Sequence, residues 1–206
     1  MKERLVGLVV RHGQTCDNSL GVFRSWLDHP LTDKGLQQAH AASEFLKNYP
    51  IKHIICSPLL RAFVTADIIS KPHKLAIYQH RGLLPWRLGI FSGLDKGSNE
   101  CALDLFVKNP DTMIPNGESL NDFEDRQFAF WDAALKMARN NGLTLYVTHN
   151  SVITSLVNLT EDNHNADAVK NDSIKPGGVA EILFDGKKHR IKPVFGIAEP
   201  AIYSGS

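Results

Sequence analysis

The sequence has little of what marks several common classes of protein. Only three of its 206 residues are cysteine, an odd number that argues for reduced thiols rather than a disulfide scaffold. The formal net charge is only +1, so the excess of basic residues that binds nucleic acid or an acidic membrane surface is missing. No apolar run approaches the length of a membrane span. We therefore expect neither nucleic acid nor a membrane as partner, while the oligomeric state stays open.

Signals for export and for metal binding are also missing. Met1 to Arg4 lead into an apolar run too short for the core of a secretory signal, which with the cysteine count predicts a cytoplasmic location. A Walker loop, a His-Glu-x-x-His helix, an EF-hand loop and paired metal-ligand spacings are absent, so we expect no metal and no cofactor. The remaining composition, 43% hydrophobic and 22% charged, suits a single domain over residues 1–206.

The most informative stretch is an apolar strand that runs directly into cationic side chains. Leu5 to Val10 is almost unbroken in its apolar character, which is typical of a strand covered on both faces. Arg11 and His12 follow, and then Gly13, where backbone could come close to a ligand. Open α/β folds bind ligands at the carboxyl ends of their strands. The sequence therefore predicts an anion pocket there, with the imidazole at its centre.

Two later apolar strands end in a similar way. His53 to Cys56 is followed by Ser57, which can cap a helix that carries Arg61 in its opening turns. Leu143 to Thr148 is followed by His149, at the start of a further helix. We expect the three strand ends to meet at one edge of the sheet and to bring their cationic groups together.

Five short patterns occur in order along the chain. They are Arg-His-Gly-Gln-Thr-x-x-Asn from Arg11, Leu-Thr-x-x-Gly-x-x-Gln-Ala from Leu31, Ser-Pro-Leu-x-Arg-Ala-x-x-Thr-Ala from Ser57, Gly-Glu-Ser from Gly117 and Thr-His-Asn from Thr148. Each alone is weak, but the ordered set covers most of the chain and resembles the histidine phosphatase superfamily, the phosphoglycerate-mutase-like family. The resemblance implies a three-layer α/β/α sandwich with a mostly parallel sheet, which the patterning also favours at about five or six strands.

The resemblance implies a metal-independent phosphatase that works through a covalent intermediate. A neutral His12 attacks phosphorus and forms a phosphohistidine, which water then hydrolyses. The phosphoryl oxygens accept hydrogen bonds from the guanidinium groups of Arg11 and Arg61 and from a protonated His149. The polar side chains expected to contact the substrate are those of Thr15, Asn18 and Asn150. The expected substrate is a small phosphorylated metabolite or a phosphoprotein.

The chain departs from the family pattern at the acid that protonates the leaving group. The branch that it resembles usually has a Glu a few residues before a Gly-x-Trp-Glu-Gly-like turn, and alignment of that turn on Gly89 to Gly93 puts Pro85 in its place. The other branch has Asp after the second His, where this chain has Asn150. Other carboxylates that could supply the proton are those of Glu118, Asp95 and Glu100.

Three readings of this departure stay open. One of the other carboxylates protonates the leaving group, or the leaving group departs without a proton, as from an acyl phosphate, a phosphohistidine or a pyrophosphate. The third reading is a module that binds phosphorylated ligands without turning them over. We favour a hydrolase because a binding module needs the cations but no nucleophile between them. A phosphoglycerate-mutase-like phosphotransferase comes second, since no dedicated contacts for return transfer can be identified.

Residues 79–118 form the least regular segment and are expected to make a lid over the pocket. The side chains predicted to govern substrate choice are those of Arg24, Trp26, Trp86, Arg87 and Lys96, and Cys16 is expected to be a small filler beside the pocket.

Two further elements are predicted outside this segment. Ser119 is expected to cap a long helix with an aromatic core face. Val179 to Phe184 and Ile191 to Phe195 are expected to pair as a hairpin across Asp185-Gly186-Lys187.

Overall fold

The computed structural model describes residues 3–138, 142–161 and 174–197. Its strands are β1 (Arg4–Arg11), β2 (Ile51–Cys56), β3 (Ile77–Gln79), β4 (Leu143–Thr148), β5 (Ile174–Phe184) and β6 (His189–Ile197). They form one sheet in the order β3-β2-β4-β1-β5-β6. The first four strands of that order pair in parallel, and β5 and β6 add an antiparallel hairpin beside β1. The predicted α/β fold is confirmed, with a mixed sheet that is parallel over its larger part.

Helices cover both faces of the sheet. They are α1 (Cys16–Leu20), α2 (Asp33–Leu46), α3 (Leu60–His73), α4 (Lys96–Lys108), α5 (Leu120–Ala138) and α6 (Asn150–Glu161). Side chains of α2 and α3 share one hydrophobic core with the sheet, and those of α5 and α6 share the other. This is the three-layer arrangement that the sequence predicts. Among the helices described, none is long and apolar enough to cross a membrane.

The central position of β1 explains its unbroken apolar character. Leu8 and Val10 pack into the core under α2 and α3, while Val9 packs into the opposite core with Tyr146. Leu8, Val9 and Val10 have no exposed surface. Because side chains alternate between the two faces of a strand, both sets must be apolar when both faces are covered.

Two glycines bring the end of β1 against the start of α2. Thr32 caps α2, since its hydroxyl oxygen accepts a hydrogen bond of 3.0 Å from the Gly35 N–H. A Cβ on Gly13 would lie 2.3 Å from the Gly35 carbonyl oxygen, and a Cβ on Gly35 would lie 2.1 Å from the Gln14 carbonyl oxygen. The close approach that Gly13 permits in the structure is to α2. The approach to a ligand expected from the sequence stays a prediction.

The helix starts agree only in part with the sequence. Ser119 caps α5 as predicted, because its hydroxyl oxygen accepts from the Asp122 N–H at 3.0 Å. Ser57 does not cap α3, which begins three residues later at Leu60. The Leu60 N–H donates instead to the Asp28 carboxylate, at 2.7 Å to Oδ1. A side chain from a distant loop therefore supplies the acceptor, and the hydroxyl of Ser57 is left for another contact.

The predicted hairpin is confirmed with longer strands. β5 and β6 pair from Phe184 and His189 at the turn to Ile174 and Ile197 at the far end. Irregularities in the pairing lie between Ile174 and Val179, in the first half of β5. There the Gly177 N–H donates to the carbonyl oxygen of His12 at 3.2 Å. The hairpin thus supports the segment that follows β1.

The segment 79–118 is more regular than expected, because it contains helix α4 as well as turns of 3-10 helix at Arg81–Leu83 and Gly89–Phe91. The first residues of α4 are Lys-Gly-Ser-Asn-Glu, without an apolar side chain that would mark a helical stripe. Asp95 caps the helix by accepting from the Ser98 N–H at 2.7 Å, and Leu103 anchors it in the core. The prediction of an irregular segment is therefore wrong over residues 96–108.

Candidate active site

Three strand ends meet at the carboxyl edge of the sheet. Arg11 at the end of β1 lies beside Thr148 of β4, and Val147 of β4 lies beside Cys56 of β2. The residues that follow these strands therefore enclose one cavity of about 260 Å³. Its lining includes the four side chains that the sequence placed in the pocket, Arg11, His12, Arg61 and His149, none more than 3% exposed.

The backbone holds His12 in one tautomer. Its Nδ1 lies 2.7 Å from the carbonyl oxygen of Gly13, which can only accept a hydrogen bond, so Nδ1 carries the proton and Nε2 keeps its lone pair. Burial, followed by the charge of Arg61, holds the pKa of His12 well below its ordinary value of 6.5. The ring is therefore neutral at neutral pH, with a basic nitrogen at Nε2.

His149 faces His12 across the cavity, with 5.1 Å between the ring centroids. Its Nε2 lies 2.7 Å from the hydroxyl of Ser57, and its buried Nδ1 has no hydrogen-bond partner among the described residues. Burial, followed by Arg61 and Arg24, holds the pKa of His149 well below 6.5. This direction runs against the protonated His149 expected from the sequence, because burial and the nearby arginines both disfavour a further positive charge in the cavity.

Backbone carbonyls position the two arginines. Arg61 donates from Nη1 to the Leu27 carbonyl at 2.6 Å and from Nη2 to the Ser25 carbonyl at 2.8 Å. Burial lowers the pKa of Arg61 to about 10, so the group remains charged at neutral pH. Arg11 donates from Nη1 to the Ile174 carbonyl at 2.7 Å. Both guanidinium groups are thus fixed at the cavity before any ligand binds.

The three polar side chains predicted to contact the substrate have different positions. Asn150 lines the cavity, and its Oδ1 accepts from Arg11 Nη1 at 3.2 Å. Thr15 and Asn18 are not among the lining residues. The Thr15 hydroxyl accepts from Arg24 Nη1 at 3.3 Å and donates to Asn18 Oδ1 at 3.3 Å. In this structure the pair therefore supports Arg24, which does line the cavity.

Thr65 is a supporting residue that the sequence reading missed. Its hydroxyl accepts from the Gly13 N–H at 3.1 Å and donates to the Arg61 carbonyl at 2.8 Å. It therefore ties the segment that bears His12 to the helix that bears Arg61. The signal was present, since Thr65 belongs to the Ser-Pro-Leu-x-Arg-Ala-x-x-Thr-Ala pattern and lies one helical turn after Arg61.

The segment 79–118 supplies an apolar wall of the cavity. Its lining residues there are Pro85, Trp86, Leu88, Leu103 and Val107, with Lys96 and Glu100 beside them and Phe23 from another loop. Of the residues expected to govern substrate choice, Arg24, Trp86 and Lys96 line the cavity. Trp26 and Arg87 do not: the Arg87 guanidinium lies 5.1 Å from the centroid of the Trp26 ring. Cys16 is exposed and also lies outside the lining.

A family model supports the same reading of the chain. The model of the histidine phosphatase superfamily (branch 1) matches residues 8–195. This chain belongs to that superfamily. Phosphoglycerate mutase-like protein 4 of Arabidopsis thaliana is 33% identical over 194 residues, which cover 90% of this chain and 82% of the plant protein. The 2,3-bisphosphoglycerate-dependent phosphoglycerate mutase 2 of Lactobacillus johnsonii is 29% identical over 203 residues, covering 82% and 89%.

Solved structures of the histidine phosphatase fold superpose over almost the whole chain. The alpha-ribazole phosphatase from Shigella flexneri gives a TM-score of 0.78 at 22% identity, covering 97% of this chain and 100% of that one. The mycobacterial glucosyl-3-phosphoglycerate phosphatase gives 0.77 at 20% identity, covering 96% and 100%. Identities this low establish the fold alone. The superfamily contains phosphatases and mutases, and this chain shares their architecture.

The histidine phosphatase cavity distinguishes between the three candidate acids. Glu118 pairs with Arg126 at 2.6 Å and accepts from the Arg87 N–H at 2.9 Å, outside the cavity lining. Asp95 is engaged as the cap of α4, and its bond from Ser98 lowers the pKa of this carboxyl. Glu100, on the following turn of α4, lines the cavity. Pro85, which the sequence alignment puts in the place of the usual acid, also lines the cavity and has no proton to donate.

Proposed function

We propose that this protein is a metal-independent phosphatase that hydrolyses a phosphomonoester or another phosphorylated substrate through a phosphohistidine on His12. The observation that carries the proposal is the fixed tautomer of His12. Its Nδ1–H donates to the Gly13 carbonyl oxygen, which lies 2.7 Å from Nδ1. The lone pair of Nε2 is therefore available in a cavity that Arg11 and Arg61 make positive. A site that only binds phosphate has no need of that arrangement.

Each step follows from the groups in the cavity. Arg11 and Arg61 neutralise the phosphoryl oxygens, which otherwise repel a nucleophile. A bound dianion also favours the charged form of His149, so this residue gains a proton when the substrate binds. Its new N–H then donates a hydrogen bond to a phosphoryl oxygen. His12 Nε2 then forms a bond to phosphorus while the bond to the leaving oxygen breaks. Water subsequently attacks phosphorus, the P–N bond breaks, and inorganic phosphate leaves.

Glu100 is the residue that we assign as the general acid. It is the candidate carboxylate that lines the cavity, and it lies on α4; Pro85, in place of the usual Glu, lines the same cavity. Protonated Glu100 gives its proton to the leaving oxygen, and the resulting carboxylate accepts a proton from the water that attacks the phosphohistidine. The remaining wall is mainly apolar, which favours a leaving group with an apolar or aromatic part.

A mutase is the second candidate, favoured by the names of the curated relatives and by two further cations, Arg24 and Lys96, at the cavity. These could hold the second anionic group of a phosphoglycerate. A mutase must retain its intermediate while the product turns round, and apart from Lys96 and Glu100 the part of the lining that segment 79–118 supplies is apolar. We therefore place hydrolysis first and phosphoryl transfer second.

Phosphate release from a panel of phosphorylated metabolites, phosphopeptides and 4-nitrophenyl phosphate tests the proposal. We expect release with the wild-type protein and a loss of roughly 10³-fold or more in His12→Ala. Isomerisation of 3-phosphoglycerate in the presence of 2,3-bisphosphoglycerate, with little release, would favour the mutase. Tight binding of substrates without either reaction would leave only a binding module, and the proposed function would be wrong.

A further inference from the structure

A second cluster of reactive side chains lies outside the cavity. Cys16 and Asp17 open helix α1, and His29 comes from the loop between α1 and α2. Their thiol, carboxylate and imidazole each offer one atom, and these atoms all lie within 4.8 Å of one another. None of the three residues lines the cavity. The proposed phosphatase reaction therefore leaves this cluster without a function.

We propose that Cys16, Asp17 and His29 form a binding site for a divalent transition metal, with Zn²⁺ as the preferred ion. Sulfur, nitrogen and oxygen donors together suit this borderline-soft cation, whereas Mg²⁺ and Ca²⁺ prefer sites made of oxygen alone. Three protein ligands leave the fourth position of a tetrahedral site to water.

The geometry needs only a small adjustment to receive the ion. Bonds of about 2.0–2.3 Å to zinc place its tetrahedral ligands roughly 3.3–3.8 Å apart. His29 Nδ1 and Asp17 Oδ2 are 2.6 Å apart, joined by a hydrogen bond, so this pair opens by roughly 0.7 Å or more as the metal replaces the shared proton. The imidazole can move outward, because the His29 side chain is 44% exposed.

The thiol is also placed for the exchange. Cys16 Sγ donates to Asp17 Oδ1 at 3.7 Å, so it already points to the carboxylate that shares the site. Metal binding converts the thiol to a thiolate, and its proton leaves to solvent through the exposed side of Cys16. The buried Asp17 then holds the ion against the protein. The three donors converge only on folding, since twelve positions separate Asp17 from His29, which is why ligand spacing in the sequence predicted no metal site.

The site lies at one end of the loop that supports the arginines of the cavity. Arg24 of that loop lines the cavity, and the carbonyls of Ser25 and Leu27 hold Arg61. An ion that joins His29 to α1 ties this loop to a helix start. We therefore expect bound metal to raise the melting temperature of the whole chain by mass action.

Titration of the metal-free, full-length protein with Co²⁺ tests this proposal without reference to its activity. We expect one ion bound per chain, with a thiolate-to-cobalt charge-transfer band and the intense visible bands of tetrahedral Co²⁺, both abolished by competition with Zn²⁺. Cys16→Ser should remove the charge-transfer band, and His29→Gln should weaken binding by about tenfold or more. Cys101→Ser, a change at another exposed cysteine, should alter neither.

The site would be refuted if Co²⁺ gave no thiolate band, or if Cys16→Ser and His29→Gln bound the ion as the wild-type protein does. Hydrolysis of 4-nitrophenyl phosphate by the metal-free variants separates this outcome from a failure of the proposed function. The metal site and the phosphatase use different residues, so either can fail alone. Circular dichroism of the two variants shows that the fold is kept, which makes a loss of the band a loss of the ligand.

Discussion

The imidazole of His12 is kept reactive by its surroundings rather than by a partner base. Burial and the neighbouring arginine hold its pKa well below 6.5, and the Gly13 carbonyl oxygen fixes the proton on Nδ1. The lone pair of Nε2 is therefore present at neutral pH without a carboxylate to remove a proton. The same surroundings hold the pKa of His149 well below 6.5, and in the proposed mechanism the two histidines differ in role through their contacts rather than through their burial.

Arg24 gives a prediction about pH. Its positive charge disfavours the protonated forms of His12 and His149, so Arg24→Gln should raise the pKa of both groups. His12 is then protonated and unreactive over a wider acidic range, and the acidic limb of kcat/KM should move to higher pH. The profile is measured with 4-nitrophenyl phosphate. Arg87→Gln, outside the cavity lining, is the matched control and should leave the limb where it is; an unmoved limb in Arg24→Gln would contradict this electrostatic account.

Glu100 gives a prediction about leaving groups. Glu100→Gln cannot donate the proton, so turnover of alkyl phosphates should fall by about 10²-fold or more. The kcat/KM for 4-nitrophenyl phosphate should change little, because nitrophenolate departs without help and kcat/KM does not report the later hydrolysis in which Glu100 accepts a proton. The kcat/KM values of the two substrates check this difference. Asp95→Asn keeps a helix cap on α4 and should behave like the wild type on both. Equal losses on the two substrates in Glu100→Gln would mean that the residue is not the acid.

At the scale of elements, the sequence predicts strands and their ends better than it predicts α4. The residues of β1 are apolar on both faces and those of β4 are mostly apolar, which leaves few alternatives to central strands. Helix α4 begins with five residues that lack any apolar side chain, and the anchor at Leu103 comes only in its second half. Its helical stripe is therefore too short to recognise. The helix forms because Asp95 caps it and because Leu103 reaches the core.

The contact between β1 and α2 gives a prediction about stability. A methyl group on Gly35 would lie 2.1 Å from the Gln14 carbonyl oxygen, so Gly35→Ala should lower the free energy of unfolding by about 2–3 kcal/mol. Gly97→Ala is a matched control on α4, where the added Cβ meets only the Asp95 carboxylate at 3.4 Å. This change should be neutral or stabilising by up to about 1 kcal/mol. Denaturant unfolding measures both, and a Gly35→Ala protein as stable as the wild type would contradict the close approach.

At the scale of the whole molecule, the site is assembled from segments that lie far apart in the chain. The sequence predicts which side chains meet, because parallel strands end at one edge of a sheet and Arg11, Arg61 and His149 lie just beyond such ends. It does not predict what holds them there. The carbonyls of Ser25 and Leu27 that position Arg61 have no sequence signature, since every residue has a carbonyl. The metal ligands that we propose are hidden for the same reason, because folding alone brings them together.

The concentration of positive charge gives a prediction for the folded protein as a whole. Inorganic phosphate binds the folded cavity and not the unfolded chain, so phosphate at a hundred times its Kd should stabilise the protein by about 2.7 kcal/mol. For a chain of 206 residues this corresponds to roughly 5–10 °C in Tm. Thermal unfolding with and without phosphate measures the shift. Arg61→Gln should abolish it and Arg87→Gln should keep it; an unchanged Tm in the wild type would count against the pocket.

The central claim is that His12 Nε2 attacks phosphorus, and trapping of the phosphoenzyme tests it most directly. The protein is mixed with a labelled phosphate ester, quenched in alkali within one turnover, and digested for mass spectrometry. The account predicts a phosphoryl group on His12 that is stable in base and lost in acid, and that is absent from His12→Ala. A label that is stable in acid, that maps to another residue, or that survives the substitution of His12 would contradict it.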